Sequence, residues 1–358
     1  MKIWLDILTP KQVFFMKELE KRLRERGHTV LKTTREYKEL NQLMKLKRMD
    51  AIVVGKHGGA SHYKKLLMSA ERVLALSRMI NEWGPDLTIG FASVEAARVS
   101  FGLSIPYFCV SDSPHAEAVS RLTIPLSKKL FTPYVIPKKC WTKFGISKAN
   151  IIRYKALDQI IWIKTHKFDS SILELLKLDN EKPIIVVRLE EIYAAYLYKK
   201  GSLKNSITIR TIEKLLEKNS DVQIVVLPRY EEQYAFLNKR FKDKVVVPKS
   251  SIDALSLLKL SSAFIGGGGT MNAEAALLGV PTISCFPAGP TYIEKFLIKK
   301  GLMERGLDPK IISSKIFRIV EKKSLIKENK EKAKKLLEKM EDPLKMIVAK
   351  VENTDSSL

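Results

Sequence analysis

Short apolar runs alternate with amphipathic stretches along the first 110 residues. The stretches between the runs have helical spacing and end at glycines or at Gly84-Pro85. Apolar strands separated by helices of this length are typical of parallel βαβ units with right-handed crossovers. We predict strands over residues 2–7, 28–33, 50–55, 86–90 and 105–110, and helices over residues 10–26, 63–83 and 93–101.

The second half of the chain repeats this alternation. We predict strands over residues 183–187, 223–227, 244–247, 263–265 and 282–284, and helices over residues 206–218, 231–241, 252–260 and 270–278. The fold class is therefore α/β, with two doubly wound Rossmann-like domains facing each other across a cleft. The predicted domains are residues 1–165, residues 166–310 and a charged helical extension over residues 311–358. In that extension the stripe Ala333, Leu336, Leu337 and Met340 should pack back on the body of the protein.

Four consecutive glycines stand in the segment FIGGGGTMNAEAALLGVPTIS, residues 264–284, between an apolar run and an Ala/Leu-rich helix. Without a Cβ they can take positive φ and admit a ligand close to the backbone. Thr270 is the predicted N-cap, so the helix would direct free N–H groups and its positive dipole end at a phosphate. Glu274, one turn on, could accept hydrogen bonds from sugar hydroxyls. A merely flexible turn remains the alternative.

Other sites are excluded or disfavoured. The chain has neither GxxxxGK[ST] nor a GxGxxG continuation, which argues against a P-loop NTPase and a dinucleotide fingerprint. Cys109, Cys140 and Cys285 are scattered, and two of them lie in apolar runs typical of buried thiols. The five histidines form no HExxH pattern. We therefore predict no metal and no cofactor.

The net charge of +24 comes from 63 Lys and Arg against 39 Asp and Glu. Nucleic acid, an anionic membrane surface and phosphorylated small molecules are the possible partners. No nucleic-acid-binding signature accompanies the lysine doublets, which disfavours nucleic acid, and a Lys-rich surface of a heat-adapted protein is the remaining alternative. The doublets lie at 128/129, 138/139, 199/200 and 299/300.

The first apolar run contains Asp6 and has no cleavage-like region, which argues against a secretory signal. The longest apolar tract, residues 87–110, is interrupted by Glu95 and Arg98 and cannot span a membrane. We predict a cytoplasmic protein, with peripheral contact at the inner face of the membrane left open.

The segment MKIWLDILTPKQVFF at the start and the glycine-rich segment together resemble the largely archaeal family catalogued as domain of unknown function 354, over most of the chain. That family is similar to members of the GT-B superfamily, which includes the non-hydrolysing UDP-N-acetylglucosamine 2-epimerases and nucleotide-sugar glycosyltransferases. The resemblance implies that LLGVP, residues 277–281, enters the strand after the nucleotide-binding turn. It also implies that VVLPR, ending at Arg229, is a strand end that approaches the nucleotide, and that VVRLEE, residues 186–191, is the first strand of the nucleotide domain. The implied nucleotide-sugar-binding residues are Arg188, Arg229, Gly266, Gly267, Gly268, Gly269, Thr270, Met271 and Glu274.

The acids and bases of the epimerases are not matched. Those relatives have an Arg-Pro-Glu turn after the first strand and a Gly-Asp turn after the fourth, where this chain has LTPKQ and GFASVE. Polar residues nevertheless follow the predicted strands, where ligands of open sheets bind. The candidate bases are Asp6, Asp112 and His115, although Asp112 could simply cap a helix and His115 could be a surface residue.

These patterns favour a glycosyltransferase that uses an NDP-sugar donor, with UDP as the first choice, and no other cofactor. The acceptor is open; a lipid-linked or anionic glycan would suit the basic surface. The alternatives are a UDP-sugar 2-epimerase, and a non-catalytic or nucleic-acid-binding protein with a GT-B-like shell.

Overall fold

A computed structural model gives the fold of residues 1–59, 61–191, 206–218 and 221–355. The chain divides into two units, each with its own sheet. Unit 1 comprises Met1–Trp162 and Glu341–Leu358, and unit 2 comprises Ile163–Met340. The lysine doublet at 199/200 lies outside the described residues.

The strands of unit 1 are β1 (Lys2–Ile7), β2 (Thr29–Glu36), β3 (Ile52–Lys56), β4 (Leu87–Gly90), β5 (Tyr107–Val110), β6 (Lys129–Pro133) and β7 (Ile151–Tyr154). Over the described residues they form one parallel sheet in the order β3-β2-β1-β4-β5-β6-β7. In β1 only Lys2 is exposed, as expected for a central parallel strand covered on both faces. Asp6 pairs in register with Gly90, so the ends of β1 and β4 lie side by side.

Helices follow these strands, and their starts are set by local sequence. Pro10 opens the first helix, where its missing N–H costs nothing, and Ser61 and Ser93 cap two others by accepting from the N–H groups of Lys64 and Ala96. These helices are α1 (Pro10–Glu25), α2 (Lys38–Leu46), α3 (His62–Trp83), α4 (Val94–Gly102), α5 (Glu117–Thr123), α6 (Lys139–Thr142) and α7 (Ile160–Thr165).

Unit 2 repeats the architecture with a smaller parallel sheet. Its strands are β8 (Ile184–Arg188), β9 (Gln223–Leu227), β10 (Ala263–Gly266), β11 (Thr282–Ser284) and β12 (Met303–Arg305), in the order β12-β11-β10-β8-β9 within the part of the chain that is described. Its helices are α8 (Ser171–Leu175), α9 (Ile207–Glu217), α10 (Glu231–Phe241), α11 (Ala254–Leu260), α12 (Gly269–Leu277), α13 (Tyr292–Lys299), α14 (Pro309–Glu321) and α15 (Lys323–Glu338).

Both faces of the second sheet are covered by helices. Ile185 and Val187 of β8 belong to a core that includes residues of α9 and α14, whereas Val186 belongs to a second core with residues of α8, α11 and α12. Alternate residues of one strand point to opposite faces. The unit is therefore doubly wound, as the sequence predicts.

Several elements differ from the predictions. The predicted strand at 244–247 is only an isolated bridge between Val246 and Val225, flanked by a short 3₁₀ turn. The strands β6, β7 and β12 and the helices α2, α5, α6, α7, α8 and α13 were not predicted. Each has nine residues or fewer, so its apolar pattern covers too few positions to be recognised.

The C-terminal segment is divided differently from the predicted extension over residues 311–358. The helices α14 and α15 belong to unit 2, whereas α16 (Pro343–Asp355) belongs to unit 1 and packs on α1. Arg22 of α1 forms an ion pair with Asp342 at 2.5 Å. Of the predicted stripe, Ala333 and Met340 are buried, and Leu336 and Leu337 are half-buried.

Cys109 and Cys285 are buried free thiols, and burial raises the pKa of Cys109 to about 11. This confirms the prediction of buried thiols for these two cysteines, whereas Cys140 is half-buried. Among the helices described here, none has both the length and the apolarity that a membrane crossing requires.

Candidate functional site

The glycine-rich turn lies at the switch point of the sheet of unit 2. From β8 the chain continues to β9 on one side of the sheet and reaches β10 on the other, so the strand order reverses between β8 and β10. Gly267–Gly269 follow β10 directly at its carboxyl end. Open parallel sheets bind ligands at this place, because the loops on the two sides diverge and leave a crevice.

Close packing explains glycine at the first three of the four positions, Gly266, Gly267 and Gly268. The N–H of Gly267 donates to the Arg188 carbonyl at 2.9 Å, and a Cβ on Gly267 would lie 2.7 Å from the Glu190 Cα. A Cβ on Gly266 would overlap the Asn272 side chain. The expectation of positive φ is wrong: none of the four glycines has it, and Gly268 is extended with φ of −155°.

Helix α12 begins at Gly269, and Gly268 is its N-cap. The prediction that Thr270 is the N-cap is therefore wrong by two positions, because the extended backbone ends at Gly268. The N–H groups of Gly269, Thr270 and Met271 belong to the first turn, where no helical carbonyl is available to them. Gly269 is exposed and the next two residues are half-buried, so the positive end of the helix dipole is open to an anion.

Arg229, after β9, lies beside the turn. Its Nε donates to the Leu189 carbonyl at 3.1 Å, and its guanidinium occupies the place that a Cβ on Gly268 would need. The side chain is 19% exposed, and Nη1 lies 3.8 Å from the carboxylate of Glu191. Arg188, in contrast, donates to the Pro228 carbonyl at 2.5 Å. The structure therefore brings Arg229 to the glycine turn and uses Arg188 to hold the neighbouring loop.

Glu274 lies one turn along α12 from Thr270 and is 6% exposed. Burial leaves little of its carboxylate accessible to a sugar hydroxyl. Its assignment to the ribose stays a prediction.

Two positioning residues near the turn were not singled out from the sequence. The Glu190 carboxylate accepts from the Ser206 hydroxyl and from the N–H and hydroxyl of Thr208, at 2.6, 3.0 and 2.6 Å, so it caps α9. Gln233 donates to the Glu190 carbonyl at 3.1 Å and accepts from the Arg229 N–H at 2.7 Å. Gln233 thus joins the loop after β8 to the loop after β9. The acidic pair in VVRLEE is the sequence feature that could have pointed to Glu190, and nothing local to Gln233 does so.

In unit 1, Asp6 is fully buried within a network of donors. Its carboxylate accepts two bonds from Arg72, at 2.6 and 3.0 Å, and one each from Thr33 and Ser93, both at 2.6 Å. Burial would raise the pKa of Asp6, but the Arg72 charge and these bonds lower it below its ordinary value. The prediction of Asp6 as a base is corrected: a buried carboxylate with four donors joins β1 to α3 and is not available to a substrate.

Asp112 belongs to a second, less buried cluster at the carboxyl ends of the strands. The Lys11 ammonium contacts the carboxylates of Asp112 and Asp158, the latter at 2.7 Å, and lies 4.3 Å from the centre of the Phe91 ring. The Tyr154 hydroxyl donates to Asp158. We call Lys11, Asp112, Asp158 and Tyr154 the lysine–carboxylate cluster.

The environment moves the two carboxyl pKa values apart. Burial would raise the pKa of Asp112, but Lys11 lowers it below its ordinary value. Burial and the charge of Asp112 raise the pKa of Asp158 in spite of Lys11. Only Asp112 is accessible: its side chain is 13% exposed, and that of Asp158 is fully buried. Two carboxyl groups with separated pKa values are typical of acid–base sites.

His115 is exposed, and its charge contributes to the lowered pKa of Asp112, so the two predicted bases share one neighbourhood. Asp112 does not cap α5, whose N-cap is Ala116, and it accepts instead from the Ser113 hydroxyl at 2.8 Å. Within the described ranges, no three His, Cys, Asp or Glu side chains are grouped to hold a metal ion.

The chain belongs to the family described as "Protein of unknown function (DUF354)", whose sequence profile matches residues 1–356. An uncharacterised protein of Methanocaldococcus jannaschii is 35% identical over 315 residues, which is 87% of this chain and 89% of that protein.

Solved structures of similar fold include two enzyme classes. The UDP-GlcNAc 2-epimerase of Neisseria meningitidis bound to UDP-GlcNAc has a TM-score of 0.77 at 17% identity, covering 99% of this chain and 100% of that one. The glycosyltransferase VinC in complex with DTDP has a TM-score of 0.59 at 13% identity, covering 98% and 99%. At these identities the likeness establishes the fold alone. The fold is GT-B, with two Rossmann-like domains, and this prediction is confirmed.

Proposed function

We propose that this member of the DUF354 family is a nucleotide-sugar-dependent glycosyltransferase that binds the diphosphate of an NDP-sugar, with UDP as the first choice, at the glycine turn of unit 2. The observation that carries the proposal is the exposed start of α12 at a sheet switch point, with the Arg229 guanidinium beside it. Amide N–H groups, a helix dipole and a guanidinium together favour a diphosphate over a neutral ligand.

The same arrangement suits a departing diphosphate. When the bond between sugar and diphosphate breaks, negative charge grows on the leaving oxygens. Donors that are already fixed stabilise that charge without reorganising. The Leu189 carbonyl and the Gln233 side chain hold Arg229 and its loop in place before any ligand arrives.

Asp112 is the proposed base for the acceptor hydroxyl, with Lys11 as its positioning residue. Asp112 is ionised at neutral pH, which is the state that accepts a proton, and the Lys11 ammonium orients its carboxylate while making it a weaker base than an unpaired aspartate. Asp158, buried and bonded by Tyr154, fixes the ammonium from the other side. The acceptor itself is undefined.

Calorimetric titration of the full chain with UDP and UDP-sugars tests the donor site. Wild type should bind, and Arg229→Ala should weaken binding about tenfold or more, because one charge-assisted contact to phosphate is lost. Arg240→Ala is the matched control: it removes the same charge from the other end of α10, where Arg240 pairs with Glu213. No binding by wild type, or equal losses in both variants, would refute the donor site.

A UDP-sugar 2-epimerase is the second candidate, because the UDP-GlcNAc 2-epimerase of Neisseria meningitidis has a similar fold and Asp112 offers a partly exposed carboxylate as a base. Incubation with UDP-N-acetylglucosamine and no acceptor, followed by NMR, separates the two. Appearance of the 2-epimer would replace transfer by epimerisation as the reaction, and Asp112→Asn should then abolish it.

A further inference from the structure

Positive charge is concentrated in one part of unit 1. Residues 118–157 include nine Lys or Arg and no Asp or Glu. This segment contains β6, α6 and β7, and β7 is the last strand in the order of the described sheet. A run of this length without a carboxylate cannot neutralise itself, so it produces a positive field at that edge of the sheet.

Within this segment four cations surround a cavity of about 550 Å³. We call it the basic cavity; it is lined by Pro137, Lys138, Lys139, Thr142, Lys148 and Arg153. The residues lie on α6, on the adjoining turns and on β7, so the sheet edge and the chain after β6 build it together. Its volume is that of a site for a small molecule or a single chemical group.

Two of the four cations are held in place without being neutralised. The Lys138 Nζ donates to the Lys148 carbonyl at 2.9 Å, and the Arg153 Nη1 donates to the Tyr134 carbonyl at 3.2 Å. Carbonyl oxygens orient these groups and leave their charge uncompensated. In the part of the chain that the structure describes, none of the four lining cations forms an ion pair with a carboxylate.

This charge distribution favours a phosphate group. A guanidinium presents paired donors that match phosphate oxygens, and ammonium groups add point charges around them. Single-stranded nucleic acid would need several exposed aromatic rings for stacking, whereas Phe131, Trp141, Phe144 and Tyr154 of this segment are buried and Tyr134 is half-buried. A concave site also differs from the long basic groove that a polynucleotide backbone needs.

We propose that the basic cavity binds a phosphate-bearing ligand, through a phosphate monoester or diphosphate group carried by a lipid headgroup or by a soluble molecule. The site lies within unit 1 and shares no residue with the glycine turn. It therefore stands whether or not that turn binds a nucleotide.

The test uses full-length protein, inorganic pyrophosphate and a pair of double variants. Lys139→Gln/Lys148→Gln removes two exposed cavity charges whose side chains do not anchor the backbone. The control Lys128→Gln/Lys143→Gln removes two charges from the same segment but outside the cavity, so the two double variants have the same net charge. Calorimetry in the Arg229→Ala background isolates the cavity from the glycine turn. The cavity variant should bind pyrophosphate at least about tenfold more weakly than the control variant.

Vesicles distinguish the two sources of phosphate. Flotation with equal parts phosphatidic acid and phosphatidylcholine, against phosphatidylcholine alone, should show cavity-dependent binding if a headgroup is the ligand, because phosphatidic acid carries a phosphate monoester. Pyrophosphate binding without vesicle binding identifies a soluble ligand, and both results support the proposal. Equal behaviour of the two double variants towards pyrophosphate and vesicles would overturn it. The proposal would also be overturned if a uridine homopolymer bound more tightly than pyrophosphate and both double variants weakened that binding equally, since this result indicates a general nucleic-acid-binding surface.

Discussion

Alanine substitutions in the glycine turn separate packing from ligand binding. A Cβ on Gly267 would lie 2.7 Å from the Cα and N of Glu190, and this backbone cannot rotate away as a side chain could. Nothing lies within 4 Å of a Cβ on Gly269, which is exposed. An added methyl group would therefore clash with backbone atoms at Gly267 and would have free space at Gly269.

The expected magnitudes differ in sign. Gly267→Ala should destabilise the protein by about 1–3 kcal/mol, as overpacking does in other interiors. Gly269→Ala should be neutral, or stabilising by up to about 1 kcal/mol, because the unfolded chain loses freedom at a position that is already helical. If the diphosphate lies on the first turn of α12, the same methyl displaces it from one or more N–H groups, each worth about 1.5–3 kcal/mol to a charged acceptor.

Urea unfolding and calorimetric titration with UDP measure the two effects on the same samples. Gly269→Ala should keep its unfolding midpoint and lose UDP affinity about tenfold or more, by the conversion of 1.4 kcal/mol to a factor of ten. Gly268→Ala should destabilise the protein less than Gly267→Ala, since its methyl meets the Arg229 guanidinium and no backbone atom, but it should also weaken UDP binding because it displaces that guanidinium. A stable Gly269→Ala protein that binds UDP as tightly as wild type would show that the anion does not lie on α12.

Three further substitutions test the interior of unit 1. Asp6→Asn should cost about 3–5 kcal/mol in urea unfolding at pH 7, because it leaves a buried guanidinium underpaired, while Asp50→Asn, at a side chain that is 99% exposed, should change stability by less than about 0.5 kcal/mol. Burial and two neighbouring cations lower the pKa of His57 to about 4. Stability should therefore fall as pH drops from 6.5 towards 4, because in this range only the unfolded chain takes up the proton. An NMR signal that titrates near 4 and is absent in His57→Gln would confirm the lowered pKa, and a titration midpoint near 6.5 would contradict it. Lys11→Met should lower the free energy of unfolding by about 3–5 kcal/mol at pH 8. The loss should shrink towards pH 5, because without the ammonium Asp112 and Asp158 bind protons more tightly in the folded protein than in the unfolded chain. A loss that does not change with pH in urea titrations would contradict this account.

The fold was predictable because its signals are local. Apolar runs, glycine stops and serine caps lie within a few residues of the elements that they define, so most strands were placed within one or two residues. The cap of α12 was misplaced because both Gly268 and Thr270 are acceptable caps, and only the extended backbone at Gly268 decides between them.

The sites were less predictable because their partners are distant in sequence. The sequence around Asp6 predicts a free acid at a strand end, because Arg72, which donates to its carboxylate, lies 66 residues away. The role of Lys11 could not be predicted from LTPKQ, since its partners Asp112 and Asp158 lie 101 and 147 positions further along the chain. These groups come together because of the order of the strands in the sheet, and no single segment of the sequence predicts that order.

Burial also decides which polar groups remain for chemistry. In unit 2, two acids near the glycine turn are engaged in the protein itself: Glu190 accepts from the first turn of α9, and Glu294 completes the capping box of α13 while accepting from the Ser284 hydroxyl. The first N–H groups of α12 and the Arg229 guanidinium are better suited to holding an anion than to moving a proton, and the partly exposed Glu191 lies 3.8 Å from that guanidinium. In unit 1 the balance is reversed, because Asp112 keeps an exposed edge while Lys11 fixes its charge. The proposed binding and proton-transfer roles therefore lie in different units, and a variant that impairs one should leave the other measurable.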